Sequence, residues 1–212
     1  MTIPSPAPGD ARQGPPILHD LIGRSLLAAA VATALVATSI AIDLPGRGPS
    51  AVVDEMAAHV QVNSESDFVI GMIPHHQEAV GVARVVLERG ERTEVRALAA
   101  EVIAEQAAEI AELEAWRAAW YPTATAPAYV PMMQPLDGLD ADAVDRTFAS
   151  DMIHHHAMAI GMAEAVLALD GVRPEVVDLA RDVIRVQTEE IATLRGWIAS
   201  WGTAPHPTAG DH

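Results

Sequence analysis

Apolar side chains recur at helical spacing through four long segments of this chain, and Gly or Pro separates each segment from the next. In the second segment, Leu98 and Val102 lie about one turn apart, and Trp116 follows Val102 at close to four turns. Positions on one side of a helix repeat with this period, so each segment is expected to bury one face. The predicted helices span about residues 66–89, 93–120, 141–169 and 174–201.

Local signals indicate where these helices begin and end. Ser66 is a suitable N-cap for the first helix, because a serine hydroxyl can accept from free backbone amides of the first turn. Gly90 is a suitable stop for the same helix. Pro174 suits the first turn of the fourth helix, where no backbone donor is needed. The loop between the second and third helices is expected to lack regular structure, because it contains Pro122, Pro127, Pro131 and Pro135.

The two halves of the chain carry the same pattern, which indicates an internal duplication. Each half predicts a helical hairpin that cannot bury its apolar face alone. Two such hairpins predict an all-α fold, a four-helix bundle with a pseudo-two-fold axis. The matched positions, at offsets of 80 and 81 residues, include Met72 with Met152, His75 with His155, His76 with His156, Gln106 with Gln187, and Glu109 with Glu190.

The rest of the chain is expected to lie outside this bundle, which is predicted at residues 64–202. Residues 1–24 are rich in Pro, Gly and Ala and are expected to be disordered. Residues 25–42 carry no charge and predict one hydrophobic helix, either a transmembrane anchor or a cleaved signal peptide. Residues 43–63 are predicted to form a linker, and residues 203–212 a flexible tail.

Composition argues against several classes of protein. The chain has 29 acidic and 13 basic residues, a formal net charge of −16, and such a surface repels the phosphates of nucleic acid. It contains no Cys, so soft metal ions are restricted to Met sulfur and His nitrogen. The Glu-x-x-His pair of di-iron bundles is absent, which argues against an oxidase or ferroxidase. The sequence has no phosphate-binding loop or nucleophile motif, and we expect no enzymatic activity.

Polar residues of the four helices are expected at one height in the bundle. His75 and Gln106 both lie about 20 Å from the end at which the first two predicted helices meet. His155 and Gln187 take the equivalent positions in the second hairpin. Adjacent helical residues point about 100° apart, so the two histidines of each pair face different directions. More than one metal position is therefore compatible with this layer.

A layer of this composition has two interpretations. It can be a hydrogen-bonded polar layer that only sets the helix register, or it can hold a metal ion. Thioether next to imidazole favours copper, Cu(I) above all, although Met is more commonly plain core packing. The first half is poorer in sulfur, because Glu78 and Val82 stand where the second half has methionines. The candidate metal ligands are His75, His76, His155, His156, Met72, Met152, Met158, Met162, Gln106, Glu109, Gln187 and Glu190.

The strings FVIGMIPHHQEAVGVA and FASDMIHHHAMAIGMA, each followed by a helix with Gln-x-x-Glu-Ile, resemble the bacterial domain of unknown function family 305. The resemblance covers about residues 64–201. It implies a ferritin-like helical bundle outside the cytoplasm that binds copper through His and Met. The positions that match the family motif are Met72, His75, His76, Met152, His155 and His156.

The sequence thus predicts an extracytoplasmic protein that sequesters or delivers copper, as Cu(I) or Cu(II). We expect it to be anchored in the membrane of the cell envelope through its N-terminal segment, or secreted, with no nucleic-acid partner. Homo-oligomerisation is left open. Two alternatives remain: a structural or protein-interaction bundle without metal, and a redox enzyme with the same ligands. The enzyme would need an open coordination position and a substrate pocket.

Overall fold

The computed structural model describes residues 61–126 and 128–203, and the regular structure in these ranges is entirely helical. Helix α1 packs against α2, α3 against α4, and α1 against α3. The prediction of an all-α four-helix bundle is confirmed. The four helices are α1 at Glu65–Arg89, α2 at Thr93–Trp120, α3 at Ala141–Leu167 and α4 at Pro174–Thr203.

Several sequence predictions concern residues outside the described ranges. They are the disordered segment at 1–24, the hydrophobic segment at 25–42, most of the linker at 43–63, and the tail beyond residue 203. These remain predictions from the sequence. Within the ranges that are described, no helix combines the length and the apolar character that crossing a bilayer requires.

The core consists of two hydrophobic clusters on either side of the bundle's middle. One contains Met72 from the first half of α1 and Val166 from the end of α3. The other contains Met152 from the first half of α3 and Val86 from the end of α1. Helices α1 and α3 therefore run antiparallel. Residues matched at an offset of 80 take equivalent places in the two clusters, as a pseudo-two-fold axis between the hairpins requires.

An arginine stacked on a tryptophan closes each end of the bundle. The guanidinium carbon of Arg173 lies 4.5 Å from the ring centre of Trp120, and the same guanidinium pairs with Glu65. The equivalent contact at the other end joins Arg92 to Trp201 at 4.4 Å. Cation–π contacts of this kind tie the turn of one hairpin to the end of the other.

Three helix ends differ from the sequence prediction, and one of them is the end of α4 at Thr203, two residues later than expected. Helix α1 begins after Ser64, whose hydroxyl accepts a hydrogen bond from the amide of Asp67 at 3.2 Å. Ser66, the predicted cap, lies inside the first turn. Helix α3 ends at Leu167, two residues earlier than expected. Serine at either 64 or 66 satisfies the sequence rule for a cap, so the pattern alone could not choose between them.

Gly90 ends α1 as expected, but for a different reason. Its φ is −67°, which any residue can adopt. A side chain there would collide with the carboxylate of Asp145 and the carbonyl of Val86. The same carboxylate accepts hydrogen bonds from the amides of Glu91 and Arg92, at 3.1 and 2.8 Å. A residue of α3 therefore satisfies free amides at the start of α2, and glycine leaves room for it.

The loop between α2 and α3 lacks helix and strand in its described residues, as predicted, but it is anchored to the bundle. Met133 and Leu136 are buried in the second cluster. The guanidinium of Arg89 donates to the carbonyls of Leu136 and Leu139 at 2.9 and 2.6 Å. These contacts hold the loop against the α1–α3 side of the bundle.

Candidate metal centre

The four predicted imidazoles lie inside the bundle, between the two hydrophobic clusters. His75, His76, His155 and His156 are all fully buried. None of their eight ring nitrogens has an aligned hydrogen-bond partner. Buried polar atoms in proteins are normally paired, because an unpaired one loses its hydration without compensation. A neutral imidazole has one nitrogen with a free lone pair, so four such rings in one layer fit a site whose partner is a bound cation.

His75 and His155 face each other across the α1–α3 contact. Their ring centres are 3.7 Å apart, and the ring planes are inclined by 33°. The ring of Tyr129, from the loop, stands edge-on to His75 with the two centres 6.4 Å apart. One imidazole from each hairpin therefore meets under the loop, close to the pseudo-two-fold axis.

Glu78 connects this pair of imidazoles to the loop. Its carboxylate lies 3.4 Å from Nε2 of His155, which is too far for a well-formed hydrogen bond. It accepts hydrogen bonds from the hydroxyl of Tyr129 and from the amides of Met132 and Met133, at 2.8 and 2.9 Å for the amides. Burial raises the pKa of Glu78, but His155, Tyr129 and the loop amide of Met133 outweigh burial and bring the pKa to about 2. The carboxylate therefore stays charged.

His76 and His156 point to a different side of the layer, where each meets a carboxylate. Nε2 of His76 lies 2.7 Å from Oε2 of Glu109, and Nε2 of His156 lies 2.7 Å from Oε2 of Glu190. The atoms of each pair are close enough for a hydrogen bond but are not aligned for one. The two pairs are equivalent under the sequence repeat, so each half contributes one imidazole and one carboxylate.

A cleft between α2 and α4 leads to these two pairs. It has room for about one water molecule. Gln106 and Gln187 are only 4% and 3% exposed, and their Oε1 atoms have no hydrogen-bond partner. Burial raises the pKa of Glu105, and the carboxylates of Glu190 and Glu109 raise it further. We call this feature the α2–α4 cleft; it is lined by three valines and by Glu105, Gln106, Glu109, Gln187 and Glu190.

Burial also sets the protonation of the imidazoles under the loop. It holds the pKa of His75 well below the usual value, and the neighbouring His155, His76 and His156 lower it further. The pKa of His155 is lowered by burial, partly offset by Glu78. Neutral imidazoles offer a nitrogen lone pair to a metal ion, whereas imidazolium offers none. Both rings are thus in the form that a ligand requires.

The structure divides the predicted ligands into pairs and does not gather them into one cage. Among the described residues, no three His, Asp or Glu side chains converge closely enough to hold an ion. Met72 and Met162 pack in the first hydrophobic cluster and Met152 in the second. Met158 is also buried, next to the layer on α3. An ion in the layer would therefore need Met or Gln ligands in addition to His and Glu.

Comparison with known proteins supplies a family. The profile of the family described as domain of unknown function (DUF305) matches residues 65–198 and, separately, residues 145–212. CopM in its Cu(II)-bound form is 35% identical, with a TM-score of 0.54, over 65% of this chain and 97% of that one. CopM in its Cu(I)-bound form is 34% identical with a TM-score of 0.57 and the same coverage.

A candidate secreted DUF305 protein from Streptomyces coelicolor has the same fold. It is 25% identical, with a TM-score of 0.59, over 70% of this chain and 98% of its own. Comparison with curated proteins finds no match. The solved relatives support the family and the bundle, and the two CopM structures carry copper.

Proposed function

The chain belongs to the DUF305 family, and on that premise we propose that it binds copper outside the cytoplasm as a sequestering or delivery protein. The observation that carries this proposal is the layer of four fully buried imidazoles whose ring nitrogens have no aligned partner. CopM structures with Cu(I) and Cu(II) support the choice of metal, because CopM is a relative over nearly its whole length. Copper is the cargo in this proposal.

His75 and His155 are the proposed centre of the soft site. Their rings approach within 3.7 Å between centres, and their lowered pKa values keep them neutral. Met72 and Met152 precede these histidines by one helical turn, where side chains on the same face meet. Imidazole with thioether is the donor set that suits Cu(I). Met158 in the second half is equivalent to Glu78 in the first half. By the pseudo-two-fold symmetry, Met158 is expected beside His75, as Glu78 is beside His155. The second half therefore supplies more sulfur to the site than the first.

We propose no substrate turnover. The imidazoles are fully buried, and the cleft that leads to them has room for about one water molecule. An enzyme would need space for a substrate beside its ligands. The buried imidazole layer can bind an ion and shield it from solvent, which suits a protein that stores or transfers copper.

The proposed location is the cell envelope or the exterior. The uncharged run at residues 25–42 would serve as an anchor or as an export signal. The Streptomyces relative, a candidate secreted protein, supports export. The proposed partners there are the copper ion and, for an anchored form, the membrane.

A titration with copper tests the proposal. The metal-free full-length protein is titrated with Cu(I) and with Cu(II) against a competing chelator. Replacing His75, His76, His155 and His156 with alanine is expected to abolish tight binding of both ions, because the imidazoles carry the site. Replacing Met152 and Met158 with leucine, which nearly conserves volume, is expected to weaken Cu(I) more than Cu(II).

His154 provides the matched control for this titration. It is exposed, and its Nδ1 atom lies 3.1 Å from the carbonyl oxygen of Ser150, one turn earlier on the same helix. His154→Ala is expected to bind both ions as the unchanged protein does. Equal affinities for the unchanged protein and the variant without the four buried histidines would contradict the proposal.

A metal-free structural bundle is the second candidate. The two imidazole–carboxylate pairs at 2.7 Å favour it, because such pairs can set helix register without an ion. Thermal melts separate the two candidates, since a ligand that binds only the folded state raises the midpoint. Copper binding predicts a rise with Cu(I) and with Cu(II). An unchanged midpoint with both ions would favour the structural bundle.

A further inference from the structure

The α2–α4 cleft lies on a different side of the imidazole layer from the loop-covered pair His75 and His155. We propose that this cleft is a second, separate site for a divalent first-row transition-metal ion. Its ligands would be one imidazole–carboxylate pair, either His76 with Glu109 or His156 with Glu190, and the side-chain oxygens of Gln106 and Gln187. The inference rests on the proposed function and deepens it, because it divides the four imidazoles between two sites of different chemistry.

The two glutamines are the first observation behind this site. Gln106 and Gln187 are 4% and 3% exposed, they line the cleft, and their side-chain carbonyl oxygens accept no hydrogen bond. A glutamine kept only for packing would leave no oxygen unpaired in the interior. Two unpaired amide oxygens at equivalent positions on facing helices point to one ligand between them.

The spacing of the imidazole–carboxylate pairs is the second observation. In each pair Nε2 and Oε2 are 2.7 Å apart. Two ligand atoms bound at right angles to one ion, each at about 2.1 Å, stand about 3 Å apart. Each pair is therefore close to the spacing of neighbouring ligands on one ion, and the lack of hydrogen-bond alignment leaves a lone pair free for the metal.

The donor types and the charge select a divalent ion. Imidazole nitrogen with carboxylate and amide oxygen suits Cu(II), Zn(II) or Ni(II), whereas thioether is needed for a soft monovalent ion. The side chains of Glu109 and Glu190 are 22% and 13% exposed, and Glu105 stands at the mouth of the cleft. This concentration of negative charge attracts cations from solvent. Partly exposed carboxylates can also meet an ion at the protein surface, where it exchanges its water for protein ligands, while the loop covers the other pair.

A competition experiment on the unchanged full-length protein tests the separation of the two sites. Ag(I) serves as a soft monovalent probe and Cu(II) as the divalent probe, and the Cu(II) signal is followed by electron paramagnetic resonance. We expect saturating Ag(I) to leave the Cu(II) spectrum in place and to change its dissociation constant by less than about twofold. Displacement of Cu(II) by one equivalent of Ag(I) would overturn the proposal, because both ions would then share one site.

Variants assign the second site to its residues. Glu109→Gln together with Glu190→Gln is expected to weaken Cu(II) at least about tenfold and to leave Ag(I) affinity within about twofold. The control replaces Glu114 and Glu189, exposed residues on the same two helices, with glutamine. It makes the same change in charge away from the cleft. Equal Cu(II) affinities for the two double variants, or an equal loss of Ag(I) in the cleft variant, would refute the cleft site.

One further variant distinguishes a failure of this inference from a failure of the proposed function. Replacing His75 and His155 with alanine is expected to abolish Ag(I) binding and to leave Cu(II) in the cleft. Normal Ag(I) binding by that variant would refute the proposed soft site, while the Cu(II) result with Glu109 and Glu190 would still decide the cleft.

Discussion

At the scale of single residues, neighbouring histidines on one helix have separate roles. His75 and His155 meet under the loop, whereas His76 and His156 meet carboxylates on another side. The 100° step between adjacent helical residues produces this division. It follows that a single substitution within a pair should affect one face of the layer and not the other.

The imidazoles under the loop make the metal-free protein sensitive to acid. Burial, with the neighbouring His76 and His156, lowers the folded-state pKa of His75 and His155, and only Glu78 opposes this at His155. Below about pH 6.5 the unfolded chain takes up protons that the folded chain does not. The free energy of unfolding should then fall with pH, by at most about 1.4 kcal/mol per pH unit for each imidazole.

Urea unfolding of the metal-free protein between pH 7 and pH 5 measures this slope. His154→Ala, which removes only an exposed ring, should retain it. Glu78, with its pKa at about 2, stabilises the fold above its unfolded value near 4.5, and this contribution is lost as the pH falls from about 4.5 towards 2. The second loss therefore occurs at lower pH than the first. A stability that does not change from pH 7 to 5 would contradict neutral burial of these rings.

Some site residues could be predicted from the sequence and others could not. His75, His155 and their neighbours are evident because the Met-x-x-His-His pattern is repeated. In the sequence, Glu78 is evident only because it replaces the methionine of the second half. No sequence pattern indicates that Tyr129 belongs to the site. Their contact joins residues 51 positions apart, through a loop that has no periodic signal. The only sequence hint is a carboxylate at a position where the other half has Met158.

At the level of secondary structure, the helices followed from their apolar period, and their ends were right within two residues. The contacts that cap two of the helix starts are tertiary. Asp145 caps α2 from α3, and the equivalent Glu65 reaches the amide of Arg173 at the start of α4, at 2.5 Å. A cap supplied by another helix leaves no local pattern to read, so the sequence could not predict either one.

Two glycines, one within α1 and one at its end, should respond to alanine in opposite ways. Gly81 lies in the helix, and a methyl group added there would meet only open space, so Gly81→Ala should stabilise the fold by about 0.5–1 kcal/mol. Gly90→Ala should destabilise it, because the methyl group would meet Asp145 and Val86. Chemical unfolding of the two variants measures both changes. An equal or higher stability for Gly90→Ala would show that Asp145 does not need this space.

At the scale of the whole molecule, the antiparallel arrangement of the two hairpins creates the candidate site. Each hairpin carries one histidine pair in the middle of its first helix. Because α1 and α3 are antiparallel and in contact, those middles lie side by side. The sequence predicted the common height of the polar layer, but it could not predict how the layer divides, since that depends on which helices touch.

Diffraction from copper-loaded crystals of the full-length protein, with anomalous data at the copper edge, would show whether the buried imidazoles hold copper. We expect a copper peak inside the bundle, within bonding distance of a ring nitrogen of His75 or His155. Copper peaks found only at the protein surface, for instance beside the exposed ring of His154, would contradict this expectation.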